Sequence, residues 1–204
     1  MSELINLDEN MFLGKGRERA GYIHPIDNSK VIKIVHAKNE NLRQNELEYS
    51  YMQYLEKNNI PFTHITKCYG KTITNLGEGY VFDIVRDFNG KVSKSFKKMV
   101  LKGKLSKKKE KKLIKELKDY IFENNILFVD IALSNILCQR IKKKKYKLIL
   151  TDGIGGKRPG LKSKLYQYSK LFTRYKVVKQ WDKFIDKYNR EVRKGISKKT
   201  RDIN

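Results

Sequence analysis

Apolar residues fall in short alternating or continuous runs over the first 85 or so positions of this chain, and afterwards mostly at helical spacing. Met11–Gly16 and the stretch around Tyr22 read as strand-like pieces flanking a loop, and Val31–Val35 as a strand after the turn Pro25–Ser29. Leu47, Tyr51 and Leu55, with Met52 alongside, stand at i, i+4 and i+8 and predict a helix over Asn39–Lys57. Lys67–Thr74 and Tyr80–Val85 read as strands joined by the turn Asn75–Gly79. Together these make a small sheet carrying one helix. Further along, Ser95–Lys102 predicts a short helix ended by Gly103. Ser106–Asn124 predicts a longer one, with Leu113, Ile114, Leu117, Tyr120 and Ile121 on one face and Ser106 as N-cap. Ile136–Arg140 and Tyr146–Thr151 pair as a hairpin turned at Lys142–Lys145. Gly153–Lys164 reads as loop, followed by helices over Leu165–Tyr175 and Val177–Tyr188. The second carries a stripe of Val177, Val178, Trp181, Phe184, Ile185 and Tyr188. Arg190–Asn204 has no apolar pattern and reads as a mobile basic tail.

Composition adds charge to this picture. The chain of 204 residues carries a formal net charge of +24, unevenly spread. Residues 1–90 hold 11 basic and 12 acidic side chains, whereas Lys91–Lys118 holds 13 lysines against Glu110 and Glu116. Residues 157–204 hold 16 basic and 4 acidic side chains. That asymmetry predicts an anionic partner for the second half: a nucleotide, an acidic lipid, a phosphorylated glycan or a nucleic acid. Lys107, Lys108 and Lys109 stand in the first turn of their helix, opposing its macrodipole. No run of about 18 uncharged apolar residues suggests a membrane span, and the start lacks a signal-peptide pattern, so a cytoplasmic protein is expected. Cys68 and Cys138 sit in apolar strand contexts and read as buried free thiols. His24, His36 and His64 show no zinc-ligand spacing.

The candidate chemistry lies in three places. Gly14 and Gly16 sit in a loop between strands, where glycine lets backbone amides approach a phosphate. Lys33 is centred in an apolar strand and needs a partner, because an unpaired buried ammonium is costly. Glu46 and Glu48 both compete for it. Glu46 is preferred, since Glu48 is offset by about 200° at helical pitch and only one of them can face the lysine. Finally, the hairpin should bring Asn135, before its first strand, close to Asp152, after its second, with Asp130 five residues upstream of Asn135. Oxygens of Asn and Asp are hard ligands suited to Mg²⁺.

In order along the chain, Leu13–Arg17 with Tyr22 and His24-Pro25, Ile32–Val35, Glu46-Leu47, Gly79–Val81, Asn135–Cys138 and Asp152–Gly155 resemble the protein-kinase-like fold. More closely, they resemble the small bacterial YrbL-like family associated with the PhoP regulatory network. The resemblance implies an α+β fold of two lobes: an N-lobe (1–86) with a small antiparallel sheet and one helix, and a reduced, mainly helical C-lobe (87–190), with 191–204 as a basic tail. It implies ATP and Mg²⁺ as cofactors. Gly14 and Gly16 would cover the phosphates, Lys33 would contact the α- and β-phosphates and pair with Glu46, Asp130 would orient an acceptor hydroxyl, and Asn135 and Asp152 would hold the metal. Phe128-Val129 stands where protein kinases have His-Arg, Asp152-Gly-Ile replaces Asp-Phe-Gly, and only 52 residues follow Asp152. The acceptor expected is therefore a small molecule, a lipid-linked group or a glycan rather than a peptide. Two other functions compete: a nucleotide-binding pseudokinase with a regulatory role, and a non-enzymatic basic module that contacts nucleic acid or an anionic membrane.

Overall fold

A computed structural model describes residues 4–16, 19–36, 42–156 and 169–201. The sequence expectations for Arg17-Glu18, the first residues of the Asn39–Lys57 helix, the loop beyond 156, the 165–168 start of a helix and 202–204 lie outside the described residues. The chain divides into two compact units: Met1–Phe62 with Thr66–Val85, and Thr63–Ile65 with Arg86–Asn204.

The first unit is built on a five-stranded antiparallel sheet. Its strands are β1 (Phe12–Lys15), β2 (Arg19–Ile23), β3 (Lys30–Val35), β4 (Cys68–Thr74) and β5 (Gly77–Asp83), in the spatial order β1-β2-β3-β5-β4. The turn between β4 and β5 is tighter than the sequence suggests. Thr74 Oγ1 donates to Gly77 O at 2.6 Å, and Gly77, directly after the Asn75-Leu76 turn, takes the positive φ of +107° there. Asn75 is exposed but tied to the N-terminal segment, accepting from Leu7 N at 2.8 Å and donating to Leu7 O at 3.1 Å. One face of β3 buries Ile32 and Ile34 beneath Leu7, with Ile5, Met11, Tyr22 and Val81 packed around them. The opposite face carries Lys33 beside Phe82 and Tyr80. Helix α1 (Leu42–Lys57) contacts this unit's sheet through β4 and through the Tyr49–Tyr80 ring pair, and buries Tyr51, Met52 and Leu55.

The second unit holds a three-stranded antiparallel sheet, β6 (Lys94–Ser95), β7 (Ile136–Lys142) and β8 (Lys145–Leu150), with helices α2 (Phe96–Leu101), α3 (Lys107–Glu123) and α4 (Lys170–Arg201). Ser95 and Ser106 are the N-caps of α2 and α3, accepting from Lys98 N and Lys109 N at 3.3 Å each. The lysines of α3's first turn do not stand alone there: Glu110 is wholly buried and accepts from Lys107 Nζ and Tyr188 Oη, each at 2.6 Å. That carboxylate supplies the negative charge a helix N-terminus favours.

Two expectations for the C-terminal region are corrected. Lys170–Arg201 is one continuous helix, not two, because no Pro or Gly interrupts the chain around Lys176. The segment expected as a basic tail forms its last turns. Gly195 is buried with its ideal Cβ position 3.2 Å from Leu101 O, and Glu191 lies 4.0 Å from Lys97 Nζ, so close helix contact replaces the missing apolar stripe. Among the described residues no helix is long and apolar enough to cross a membrane. Cys68 and Cys138 are buried free thiols, as expected, with burial pushing them up to about 11 and about 12 respectively.

Candidate functional site

In the first unit Lys33 stands on the sheet face that carries Phe82 and Tyr80. The side chain of Lys33 lies with its Nζ 4.2 Å from the centre of the Phe82 ring. Burial, then the neighbouring Arg19 guanidinium, hold its ammonium down to about 7, against the opposing pull of Glu48. Glu48 is almost fully buried and accepts from Arg19 at 2.7 Å, and Asn45 accepts from the same nitrogen at 2.5 Å. The choice of Glu46 as the facing carboxylate is thereby corrected. Asn45, Glu48, Tyr51 or Met52, and Leu55 follow one another at helical spacing on the buried face of α1, which turns Glu46 out to solvent. Arg19 stands where a kinase-type glycine loop would place its third glycine, and nothing in the apolar pattern marks it as a buried cation.

Gly14 and Gly16 flank this cluster in sequence. Gly16 N donates to Arg19 O at 2.8 Å, which closes the loop between β1 and β2. Neither glycine lies at positive φ. A Cβ would meet nothing within 4 Å at Gly14 and only Arg19 O at 3.5 Å at Gly16. The fold of the described residues therefore does not itself require glycine at either position.

In the second unit the hairpin does what its sequence suggests. Pairing of Ile136 with Leu150 sets Asn135 beside Thr151, whose N and Oγ1 both donate to Asn135 O, at 2.9 and 3.2 Å. Asn135 Nδ2 reaches Asp130 O at 3.5 Å. The Asp152 carboxylate accepts from Gly153 N at 2.8 Å. Asp130 is held against the same turn from the other side, because Val129 N and Asp130 N both donate to Gly153 O, at 2.7 and 3.2 Å. Asp130, Asn135 and Asp152 are each partly exposed above buried Val129, Ile131, Leu133 and Ile154. The three polar side chains thus share one end of the hairpin.

Two further residues make that arrangement possible. Gly153 has φ +75°, and a Cβ on it would stand 2.5 Å from Asp130 Cβ and 2.9 Å from Asp130 O. Only glycine permits this approach of the two acidic segments. The Asp-Gly dipeptide was its signal in the sequence. Gln180 of α4 is buried and donates from Nε2 to Val129 O at 3.3 Å, steadying the carbonyl before Asp130. It had no sequence signal beyond a polar residue next to an apolar stripe.

The donor set consists of two carboxylates and a carboxamide. Among the described residues no group of three or more His, Cys, Asp or Glu gathers as a metal site. Asn135 and Asp152 could offer one carboxamide and one carboxylate oxygen to a hard cation, the donor type such ions take.

The chain has relatives among known proteins. The family described as PhoP regulatory network protein YrbL matches residues 5–189. The uncharacterized protein YrbL of Escherichia coli (strain K12) and its namesake from Shigella flexneri are each 30% identical over 185 residues, covering 89% of this chain and 87% of theirs. The chain belongs to the YrbL family.

Proposed function

We propose that this chain is an ATP- and Mg²⁺-dependent phosphotransferase of protein-kinase-like fold. The observation that carries the reading is the convergence of Asp130, Asn135 and Asp152 around the Gly153 turn. In this reading Asn135 and Asp152 hold Mg²⁺, which neutralises charge on the transferring phosphoryl group. Asp130 takes no part in the metal shell. Its carboxylate accepts the proton of the acceptor hydroxyl and aims that oxygen at phosphorus. Lys33 supplies positive charge to the α- and β-phosphates, and Gly14 and Gly16 leave the room for backbone approach that their open surroundings provide. A phosphate beside Lys33 favours its ammonium form, so nucleotide binding takes up a proton near pH 7–8.

The test separates the residues by role. Asp152→Asn removes an anionic metal ligand and should abolish the stabilisation that ATP gives only with Mg²⁺, together with turnover. Asp130→Asn keeps the shape and should leave Mg²⁺-ATP binding intact while lowering turnover by about two to four orders of magnitude. Thermal-shift titration and phosphate-release assays across sugar, lipid-linked and small-molecule acceptors measure both. Turnover that survives Asp152→Asn unchanged overturns the assignment.

A nucleotide-binding pseudokinase is the second reading, and one observation favours it. The buried carboxylate that draws on Lys33 is already engaged by Arg19. In that case Mg²⁺-ATP stabilises the protein, and no acceptor is phosphorylated.

A further inference from the structure

A second concentration of chemistry lies in the second unit, at the far end of the same hairpin. The outward face of α3, the β7–β8 turn and His64 enclose a cleft of about 360 Å³. Lys109, Lys112, Lys144, Lys145 and Lys147 line it, and Glu116 is the one carboxylate among its lining residues. That carboxylate lies 3.9 Å from Lys112. Leu113, Ile141 and Tyr146 form apolar parts of the wall, and Lys109 Nζ lies 5.2 Å from the centre of the Tyr146 ring. His64 cannot aim its Nδ1 at an occupant, since that atom is 2.8 Å from Leu148 O.

Three features distinguish this cleft from a merely solvated lysine surface. The lysines come from two separate elements and converge on one concavity. Like charges gathered in this way repel one another, at a cost that an anion between them reverses. Lys147 is only partly exposed, and burial holds its ammonium below the usual lysine range. Lys144 has φ +67° in the two-residue hairpin turn, a conformation in which glycine or asparagine is favoured and a lysine is strained. A stable turn alone does not call for lysine there.

We infer that this lysine cleft, formed by α3 and the β7–β8 turn, binds a compact anion bearing two or more phosphate groups. A volume near 360 Å³ suits a small molecule or a single headgroup and is too confined for a length of duplex. Lysines, as mobile point charges, serve phosphate oxygens without demanding one planar geometry. The site is separate from the Asp130–Asn135–Asp152 cluster. Five residue steps along β8 separate Lys145 from Leu150, roughly 16 Å at about 3.3 Å per residue. The inference therefore stands whether or not the second unit transfers phosphate.

Isothermal titration of the full chain with inorganic tripolyphosphate, in EDTA and 150 mM salt, tests it. Binding of one equivalent is expected, with sulfate far weaker. The triple variant Lys112→Gln/Lys144→Asn/Lys145→Gln should bind about tenfold or more weakly, as loss of charge-assisted hydrogen bonds requires. It should melt no lower than the wild type, because asparagine suits the turn. A charge-matched control, Lys91→Gln/Lys94→Gln/Lys98→Gln, should stay within about threefold. Binding in EDTA separates this site from the proposed nucleotide site, which depends on Mg²⁺. Phosphatidylcholine vesicles carrying a bis-phosphorylated headgroup distinguish the sources. Cosedimentation displaced by tripolyphosphate assigns the anion to a lipid, and its absence assigns the anion to a soluble molecule. Equal losses in the two triple variants overturn the inference, as does the absence of tripolyphosphate binding. So does a 20-base-pair duplex that binds more tightly and that tripolyphosphate does not displace.

Discussion

The two units solve the problem of placing charge in opposite ways. In the first, cations and carboxylates are nearly equal in number and are matched in pairs: Arg19 with Glu48 and Asn45 in the interior, Lys30 with Asp83 and Lys71 with Glu78 nearer the surface. Lys33, on the face beside Phe82 and Tyr80, is pressed toward neutrality. In the second, cations far outnumber carboxylates, so that surface pairs such as Lys115 with Asp119 match only a minority of them, while Glu110 is placed in the core and Asp130 and Asp152 at the hairpin end. A matched charge set gives a rigid scaffold that tolerates little change. An unmatched one keeps its cations available to a ligand. Stability should therefore be concentrated in single polar residues in the first unit, and ligand response in the second.

The largest expected effect breaks the matched set. Glu48→Ala removes the carboxylate that neutralises the buried Arg19 guanidinium, leaving it the Asn45 carbonyl, and should cost about 3–5 kcal/mol of unfolding free energy. Trp181, the only tryptophan, belongs to the second unit and reports its unfolding alone. Urea titrations followed by circular dichroism and by tryptophan fluorescence show whether the loss stays in the first unit. Coincident transitions would show instead that the two units unfold as one. Next, Gly153→Ala forces a Cβ into the space of Asp130 at a left-handed φ, and should cost about 2–3 kcal/mol while removing Mg²⁺-dependent turnover. A variant of wild-type stability and activity would show that the turn yields easily.

A smaller effect depends on pH. Lys33 titrates near 7 in the folded protein and near 10.5 when unfolded, so between those values the unfolded chain binds the extra proton and stability rises with pH. The penalty is complete below about pH 7 and fades toward 10.5. Lys33→Met should therefore stabilise the protein at pH 7 by about 1–2 kcal/mol, a discounted figure because Lys33 keeps part of its surface in water. That advantage should shrink by pH 9.5. Melting curves of the two proteins at pH 7, 8 and 9.5 supply the comparison, and a constant difference would remove the case for a neutralised lysine.

Much of the fold was legible in the sequence because its signals are local. Alternation gave β4 and β5, the Leu113–Ile121 stripe gave α3, and Ser106 marked the residue before its first turn. The Asp130, Asn135 and Asp152 grouping was legible too, since a hairpin with a lysine turn has few possible registers. What the sequence concealed was set by tertiary partners. Helical spacing says which residues share a face but not which face is buried, and so Glu46 was preferred to Glu48. Nothing in the sequence marked Arg19 as a buried cation, because its partners Asn45 and Glu48 stand far along the chain on α1. The continuation of α4 past Arg190 depends on a glycine meeting the backbone at Leu101, a contact without apolar periodicity.

That contact has a consequence in time. During synthesis α2 emerges roughly 90 residues before Gly195, the residue that packs against Leu101, and before Tyr188, whose ring stacks on Phe96 at 6.0 Å. At about 5–20 residues per second, the apolar side of α2 waits on the order of 5–20 s for its cover, while the five strands of the first unit are already complete. The order of emergence thus leaves the second unit as the half whose apolar surface stays open longest while it is being made.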